Sequence, residues 1–225
     1  MGNLYLVRHG QASFGADDYD QLSPKGVEQS RLLGEFFKAN EIRFDLTLIG
    51  SLKRQTQTFQ GIKAGMCLPD GKTNTLLWPG LNEYDSHSLI TAIHPEPLPK
   101  PDTPELYRHH FRLLREGLSN WMSGSTTPHG MPNYNTFLAG VTSALEHVKK
   151  NCSGNVLMVS SGGPISMAIG HILGANFEAV IDLNMRIRNS SVTEFIFTPK
   201  RMSLLTFNSL AHLDQIDHAN LITYA

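Results

Sequence analysis

Hydrophobic positions along the chain follow two recurring patterns that predict its secondary structure. Short uninterrupted apolar runs predict strands that are buried on both faces of a sheet. Longer segments with an apolar residue at every third or fourth position predict helices with one buried face. The first pattern occurs at residues 4–7, 44–49, 156–159, 192–197 and 204–207, and the second follows positions 24, 52, 104, 134 and 164.

Polar residues and prolines mark where several of these helices begin. The pairs Ser23-Pro24 and Thr103-Pro104 each place a side-chain acceptor before a proline, which is typical of a helix start. Ser51 is placed to cap the helix that begins near residue 52. The predicted buried face of the first helix comprises Val27, Leu32, Leu33, Phe36 and Phe37. That of the helix from residue 104 comprises Leu106, Phe111, Leu114, Leu118 and Trp121.

The alternation of strands with helices predicts an α/β fold in three layers, with a mostly parallel sheet covered by helices on both faces. A length of 225 residues suits one such domain and is short for two. Residues 86–135 are richer in proline and histidine and have a weaker strand pattern. We interpret them as an insertion, or lid, over the carboxyl edge of the sheet within a single domain of residues 1–225.

Composition and charge narrow the class of protein. Hydrophobic residues make up 40% and charged residues 17%, as in a folded globular protein. A formal net charge of −1 does not favour nucleic-acid binding, although a local arginine cluster would still attract phosphates. Cys67 and Cys152 form no metal-binding pair, no apolar run approaches membrane-spanning length, and the first residues lack a signal-peptide pattern. We therefore expect a cytoplasmic protein without a zinc site.

The tripeptide Arg8-His9-Gly10 directly follows the first predicted strand. Ligands of open α/β sheets bind at the carboxyl ends of the strands, so this position favours a binding site. A neutral imidazole is nucleophilic near neutral pH and can form a covalent phosphohistidine, and a neighbouring guanidinium can hold phosphate oxygens with two donors. Taken alone, the tripeptide is also compatible with a surface Arg-His pair in a turn.

Two further segments follow strands in the same way. Residues 51–58, which include Arg54, open a helix after the second strand. Residues 160–164, Ser-Ser-Gly-Gly-Pro, form a small-residue turn into a helix, whose backbone N–H groups and dipole favour an anion. Each segment alone is also compatible with an ordinary capped helix or with a tight turn that holds no ligand.

In combination, these segments resemble the histidine phosphatase superfamily, also called phosphoglycerate mutase-like, over most of the chain. The family motifs RHG, LTxxG, SxxRxxQT, LxE and VSHGG are similar to residues 8–10, 22–26, 51–58, 81–83 and 159–163, and its late strand entry is similar to residues 189–193. The resemblance implies a phosphoglycerate mutase-like fold with His9 as nucleophile and Glu83 as proton donor. It implies four phosphate-binding residues: Arg8, Arg54, Ser161 and Gly162.

The chain departs from the family pattern at the phosphate site. Ser161 occupies the position of the second catalytic histidine, which in the family stabilises the charge on the transferring phosphoryl group. Ala12 and Gly15 stand where the family often has Ser and Asn, and Ser13 is a neighbouring hydroxyl. We assign none of the following histidines to the missing role: His87, His94, His109, His110 and His171.

These features favour a phosphatase that hydrolyses phosphate monoesters through a phosphohistidine intermediate at His9, without a cofactor or metal. One alternative is a phosphoglycerate mutase-like phosphotransferase, which Ala12 and Gly15 disfavour. A second alternative is a catalytically weakened phosphate-binding protein, which Ser161 keeps open.

We expect a small phosphorylated substrate or a phosphopeptide as partner, and neither nucleic acid nor a membrane. The sequence identifies neither the substrate nor the oligomeric state. Four aromatic residues are candidates for a pocket beneath the insertion or for the core: Trp78, Tyr84, Tyr107 and Trp121.

Overall fold

A single six-stranded sheet organises the part of the chain that the computed structural model describes, which comprises residues 1–13, 20–69, 71, 73–99, 102–214 and 216–224. The strands are β1 (Gly2–Arg8), β2 (Leu46–Ile49), β3 (Thr75–Leu77), β4 (Gly154–Ser160), β5 (Val192–Phe197) and β6 (Met202–Ser209). Their order is β3-β2-β4-β1-β5-β6. The pairs among β1 to β4 are parallel, whereas β5 is antiparallel to both β1 and β6. The predicted mostly parallel sheet is therefore confirmed.

Helices cover both faces of this sheet. They are α1 (Pro24–Ala39), α2 (Lys53–Met66), α3 (Ser86–Thr91), α4 (Pro104–Met122), α5 (Tyr134–Asn151), α6 (Gly162–Leu173) and α7 (Phe177–Asn184). Three short 3-10 helices occupy Pro79–Leu81, Ala211–Leu213 and Ile216–Leu221. Helices α1 and α2 cover one face, and α5 and α6 cover the other, which confirms the three-layer α/β/α arrangement.

Side chains of the central strands alternate between the two layers of helices. On β1, Leu4 and Leu6 pack beneath α5 and α6, whereas Val7 packs beneath α1 and α2. On β4, Met158 packs beneath α5 and α6, whereas Val159 packs beneath α1 and α2. All five side chains are at most 1% exposed. Because a strand places successive side chains on opposite faces, two apolar layers produce the uninterrupted apolar runs seen in the sequence.

The segment 86–135 contributes a third apolar cluster. Its helices α3 and α4 supply Leu89 and Leu118, which pack with Trp121 at the end of α4. Met167 of α6 and Val180 of α7 belong to the same cluster. The segment is thus anchored to the helix that follows β4. This packing supports its interpretation as an insertion near the carboxyl edge, which stays a prediction.

Two sequence expectations differ from the structure, and three short elements were missed. Val27 is 52% exposed, because the buried face of α1 runs instead through positions such as Gly26, Ser30 and Leu33. Ser51 does not cap α2, which begins after Leu52; its hydroxyl accepts a hydrogen bond from the Asn82 amide at 2.7 Å. Strand β3 and helices α3 and α7 were not predicted, because each is short.

Ser23 does cap α1: its hydroxyl accepts from the backbone N–H of Gly26 at 3.1 Å. Within the described ranges, the helices lack the combined length and apolar character that crossing a membrane requires.

Candidate active site

The candidate site lies where the central strands β1, β2 and β4 end. The backbone N–H of His9, just after β1, donates to the carbonyl of Ser160 at the end of β4, at 2.9 Å. Gly50, just after β2, donates to the carbonyl of Val159 at 3.2 Å. Because these strands are parallel neighbours, the three sequence segments singled out above meet at one edge of the sheet.

His9 is buried, and its surroundings define which ring nitrogen can react. Nδ1 lies 2.7 Å from the carbonyl oxygen of Gly10, and because a carbonyl only accepts, Nδ1 carries the proton. Nε2 then holds the lone pair and accepts from Nε of Arg54 at 3.1 Å. Burial, followed by the charges of Arg8 and Arg54, holds the pKa of His9 well below its usual value of 6.5, while the Gly10 bond acts in the opposite direction. These surroundings favour a neutral His9 whose available lone pair is on Nε2.

Arg54 reaches this nitrogen from the first turn of α2 and is held from its other side by an acidic residue. One of its terminal nitrogens donates to Asp20 Oδ1 at 2.6 Å. The second oxygen of Asp20 accepts from the backbone N–H of Lys53 at 2.9 Å. The carboxylate thus fixes the guanidinium against the start of the helix. The same arginine can exchange its bond to His9 for a bond to a phosphate oxygen.

Arg8 enters the site from the end of β1. It is 6% exposed, and its guanidinium donates to the carbonyl of Ile187. A side-chain carbon built on Gly162 would lie 3.8 Å from the guanidinium carbon of Arg8. Gly162, at the start of α6, therefore lies beside this arginine.

Glu83 follows the 3-10 helix Pro79–Leu81 and directs its carboxyl group at the start of α6. Its two oxygens lie 3.1 and 3.3 Å from the backbone nitrogen of Gly163. Burial raises the pKa of Glu83, while the charges of Arg54 and Arg8 and the Gly163 N–H oppose the rise. The carboxyl group thus lies within electrostatic reach of both arginines and holds a proton to higher pH than an exposed glutamate. This is the behaviour required of a general acid.

The glycine at position 163 is required by this approach. A side-chain carbon there would lie 2.3 Å from Oε1 of Glu83 and 2.4 Å from the ring of Tyr84. From the sequence, the backbone N–H groups at the start of this helix were expected to bind an anion. In the structure, the N–H of Gly163 donates to the carboxylate of Glu83.

Ser161 is fully buried and forms a hydrogen bond that sequence reasoning missed. Its hydroxyl accepts from the amide nitrogen of Gln55 at 2.9 Å, and the same amide nitrogen donates to the carbonyl of Leu81 at 2.8 Å. Gln55 is also fully buried and directly follows Arg54. Because the serine oxygen accepts from Gln55, its own O–H hydrogen remains available as a donor.

Two of the four candidate aromatic residues lie near the site. The Tyr84 ring contacts the Gly163 position, and its hydroxyl accepts from the side chain of Asn184 at 2.5 Å. Tyr107 of α4 is close enough to Arg8 that the arginine charge lowers the pKa of its phenol, although burial gives a net rise. By contrast, Trp121 is 1% exposed and lies within the third apolar cluster. Trp78 donates through its indole nitrogen to Ser143 of α5.

The other histidines and the residues that follow His9 occupy several different environments in the described part of the chain. His94 and His109 place their ring centres 6.3 Å apart, and His109 accepts from Arg112. His171 is exposed in the last turn of α6. Ala12 is buried and pairs with Leu22, whereas Gly15 lies outside the described residues. Among the described side chains, no three His, Cys, Asp or Glu groups gather as a metal site would require.

Sequence reasoning missed three residues that complete the site: Asp20, Gln55 and Asn184. Each contacts another side chain of the site. Asp20 accepts from Arg54, Gln55 donates to Ser161, and Asn184 donates to Tyr84. No local pattern distinguishes them from ordinary polar residues. Only the contact between distant segments reveals them.

Comparison with known proteins identifies the family of the chain and its fold. The sequence matches the model of the family described as histidine phosphatase superfamily (branch 1) over residues 4–210. The fold is similar to a phosphoserine phosphatase variant from Entamoeba histolytica in complex with phosphoserine, with a TM-score of 0.65 and 22% identity over 95% of this chain and 100% of that chain.

Two further solved structures show the same fold. A putative alpha-ribazole-5'-P phosphatase from Escherichia coli K-12 has a TM-score of 0.65 and 20% identity, over 94% of this chain and 98% of its own. A phosphoglycerate mutase from Bacillus anthracis has a TM-score of 0.62 and 17% identity, over 94% of each chain. The fold shared with these proteins and the family match over nearly the whole sequence lead to one assignment: the chain belongs to the histidine phosphatase superfamily, branch 1.

Proposed function

We propose that this protein is a phosphatase that hydrolyses phosphate monoesters through a phosphohistidine at His9. The observation that carries the proposal is the hydrogen bonding of the His9 ring. Nδ1 is bound to the Gly10 carbonyl, so the lone pair is on Nε2, which faces Arg54. A neutral buried imidazole with a fixed tautomer and an adjacent cation is suited to attack phosphorus.

In the first step, a bond forms between Nε2 of His9 and phosphorus while the bond from phosphorus to the ester oxygen breaks. Arg54 turns its donor from Nε2 to a phosphoryl oxygen, and Arg8 binds a second oxygen. Gly162 and the Ser161 hydroxyl supply further donors at the start of α6. Glu83 gives its proton to the ester oxygen, and the alcohol leaves.

In the second step, Glu83, now a carboxylate, takes a proton from water as that water attacks the phosphohistidine. The bond between phosphorus and Nε2 breaks, inorganic phosphate leaves, and Glu83 is protonated again. The pKa of Glu83, raised by burial, supports the acid role in the first step, because the carboxyl group keeps its proton to higher pH than an exposed glutamate does. All groups in this cycle belong to the chain, and we propose that it uses no cofactor.

We favour hydrolysis over phosphoglycerate mutase chemistry because Ala12 has no polar group with which to hold a phosphoglycerate. We also infer that the rate is attenuated. Ser161 replaces a ring donor with a shorter hydroxyl, whose oxygen is held in place by the Gln55 amide. Retention of a complete set of nucleophile, arginines and acid favours a slow enzyme over a protein that only binds phosphate.

We propose a small phosphorylated substrate, with a phosphopeptide as the other candidate. Tyr84 contacts the Gly163 position and Tyr107 lies within electrostatic reach of Arg8, so we propose these two rings as the candidate contacts of the leaving group. A substrate panel should include phosphoserine, alpha-ribazole 5'-phosphate, 3-phosphoglycerate and phosphopeptides, because proteins with similar structures bind or are named for the first three. We place the protein in the cytoplasm.

The decisive test is a comparison of His9→Ala with His171→Ala, an exposed histidine at the far end of α6. Wild type and His171→Ala should form a covalent phosphoenzyme and release phosphate, and His9→Ala should do neither. The adduct should be labile in acid and survive alkali, because it is a phosphoramidate. An acid-stable, alkali-labile adduct would contradict the proposal.

The same assay separates the alternatives. Phosphate release that needs no bisphosphate primer favours the phosphatase over the mutase. Protection against unfolding by inorganic phosphate, without turnover of any substrate in the panel, would identify a protein that only binds phosphate.

A further inference from the structure

The nucleophile lies in the segment 9–11, whose backbone polar groups are all hydrogen-bonded; the His9 carbonyl, for example, accepts from the Ser190 N–H at 3.2 Å. Three of these bonds are made by side chains from elsewhere in the chain: Thr58 Oγ1 accepts from the Gly10 N–H at 3.0 Å, and Asn189 and Gln29 make the other two. The amide of Asn189 donates to the carbonyl of His9 at 3.4 Å, and Gln29 Oε1 accepts from the backbone N–H of Gln11 at 2.8 Å. These bonds flank Gly10, whose carbonyl accepts the proton on the His9 ring. The position of that carbonyl therefore depends on both neighbours.

Asn189 and Gln29 are joined to each other through one hydroxyl. Thr223 Oγ1 accepts from the Gln29 amide nitrogen at 2.8 Å and donates to Asn189 Oδ1 at 3.0 Å. Four hydrogen bonds thus form a continuous chain from the N–H of Gln11 through Gln29, Thr223 and Asn189 to the carbonyl of His9. Gln29 is fully buried and Asn189 is 2% exposed, so water cannot readily replace a lost partner.

The backbone near Thr223 is fixed by the same two partners. Its carbonyl accepts from the N–H of Asn189 at 3.0 Å, and the carbonyl of Leu221 accepts from the Gln29 amide at 2.6 Å. The hydroxyl of Thr223 is therefore presented by an anchored segment. Residues 221–223 lie more than two hundred positions from the nucleophile and contain no motif of the resemblance.

We infer that Thr223 is a positioning residue for the nucleophile. By holding Asn189 and Gln29, its hydroxyl fixes the Gly10 carbonyl, and that carbonyl fixes the His9 tautomer in which Nε2 attacks. The expected effect of Thr223 on the rate of His9 phosphorylation rests on the proposed function. The structural consequence of the inference, a single ring tautomer, does not depend on turnover.

The test compares Thr223→Val, which keeps the shape and removes the hydroxyl, with Thr223→Ser, which keeps the hydroxyl. Thr198→Val is the matched control, because its hydroxyl bonds only within the turn between β5 and β6. Two readouts are needed. One is the single-turnover rate constant for phosphorylation of His9, corrected for the fraction of active sites. The other is the tautomer of the His9 ring from side-chain nitrogen NMR.

Thr223→Val should lower the single-turnover rate constant by ~10-fold with little change in KM, because a small displacement of a reacting group has a large effect on rate while other bonds still hold the loop. The His9 ring should populate both tautomers. Thr223→Ser and Thr198→Val should behave as the wild type.

An unchanged rate constant per active site together with an unchanged tautomer in folded Thr223→Val would overturn the inference. If Thr223→Val only unfolds more easily, the number of active sites falls while the rate constant stays the same, which also counts against it. A wild type that never forms phosphohistidine would refute the proposed function, and the tautomer measurement would still decide the role of Thr223.

Discussion

Ser161 and Gln55 form a buried pair, and this pairing predicts that a histidine at position 161 works only when Gln55 is also changed. The imidazole of Ser161→His would add about four non-hydrogen atoms to a fully buried position, which overpacks it. Gln55→Ala removes about four non-hydrogen atoms from the side chain that donates to Ser161 at 2.9 Å. The two substitutions together keep the total volume nearly constant.

The structure sets the expected magnitudes. Overpacking in Ser161→His should reduce the free energy of unfolding by ~1–3 kcal/mol. Gln55→Ala removes the amide that donates to Ser161 and to the carbonyl of Leu81, and should cost ~1–3 kcal/mol. In the double variant the losses should not add, with a coupling energy of ~0.5–3 kcal/mol in its favour.

The catalytic gain should appear in the double variant. A preorganised donor is typically worth ~10²–10³ in rate, so kcat of Gln55→Ala/Ser161→His should exceed that of the wild type by about tenfold or more. The assay is steady-state hydrolysis of an aryl phosphate, combined with urea unfolding of all four proteins in the cycle. Ser161→Ala is the control: a large fall in kcat would show that the hydroxyl is a working phosphate ligand.

Two results would refute this reasoning. If Ser161→His alone is as stable as the wild type and faster, Gln55 does not obstruct the ring. If the double variant folds, binds phosphate and is no faster, Ser161 is not an attenuating substitution.

Two further predictions concern titratable groups. Glu83→Gln should slow alkyl phosphates much more than aryl phosphates, because a good leaving group needs little protonation; equal losses on both classes would show that Glu83 is not the general acid. Burial, with a contribution from the charge of His218, lowers the pKa of His212 to about 3, so its contribution to stability is complete above the unfolded-state value of about 6.5 and is lost as pH falls toward 3. Between about pH 7.5 and 5 the wild type should lose about 2 kcal/mol of unfolding free energy through this residue. His212→Gln, in which the replacement amide can still bond the Ser190 hydroxyl, should lose about 2 kcal/mol less, and equal slopes in urea unfolding would contradict the assignment.

Much of the fold could be predicted from the sequence because its main elements are locally encoded. The apolar runs of β1 and β4 reflect burial on two faces, and Ser23-Pro24 marks the start of α1. The short elements β3, α3 and α7 were missed, because a few residues carry too little periodicity to be distinguished. Val27 was misassigned because the true buried face of α1 includes Gly26 and Ser30, which hydropathy does not identify as buried.

The sequence by itself determined which residues have reactive chemistry and which of them follow strands, and therefore that His9, Arg54 and Ser161 meet at one edge of a parallel sheet. It did not determine what orients them. Asp20 and Thr223 lie in segments with no distinguishing pattern, Gln55 occupies an unspecified position within the 51–58 motif, and the partners of all three are far away in the chain. Only the tertiary structure decides such contacts, because a hydrogen bond depends on position in space, whereas periodicity along the chain records only which side of an element is buried.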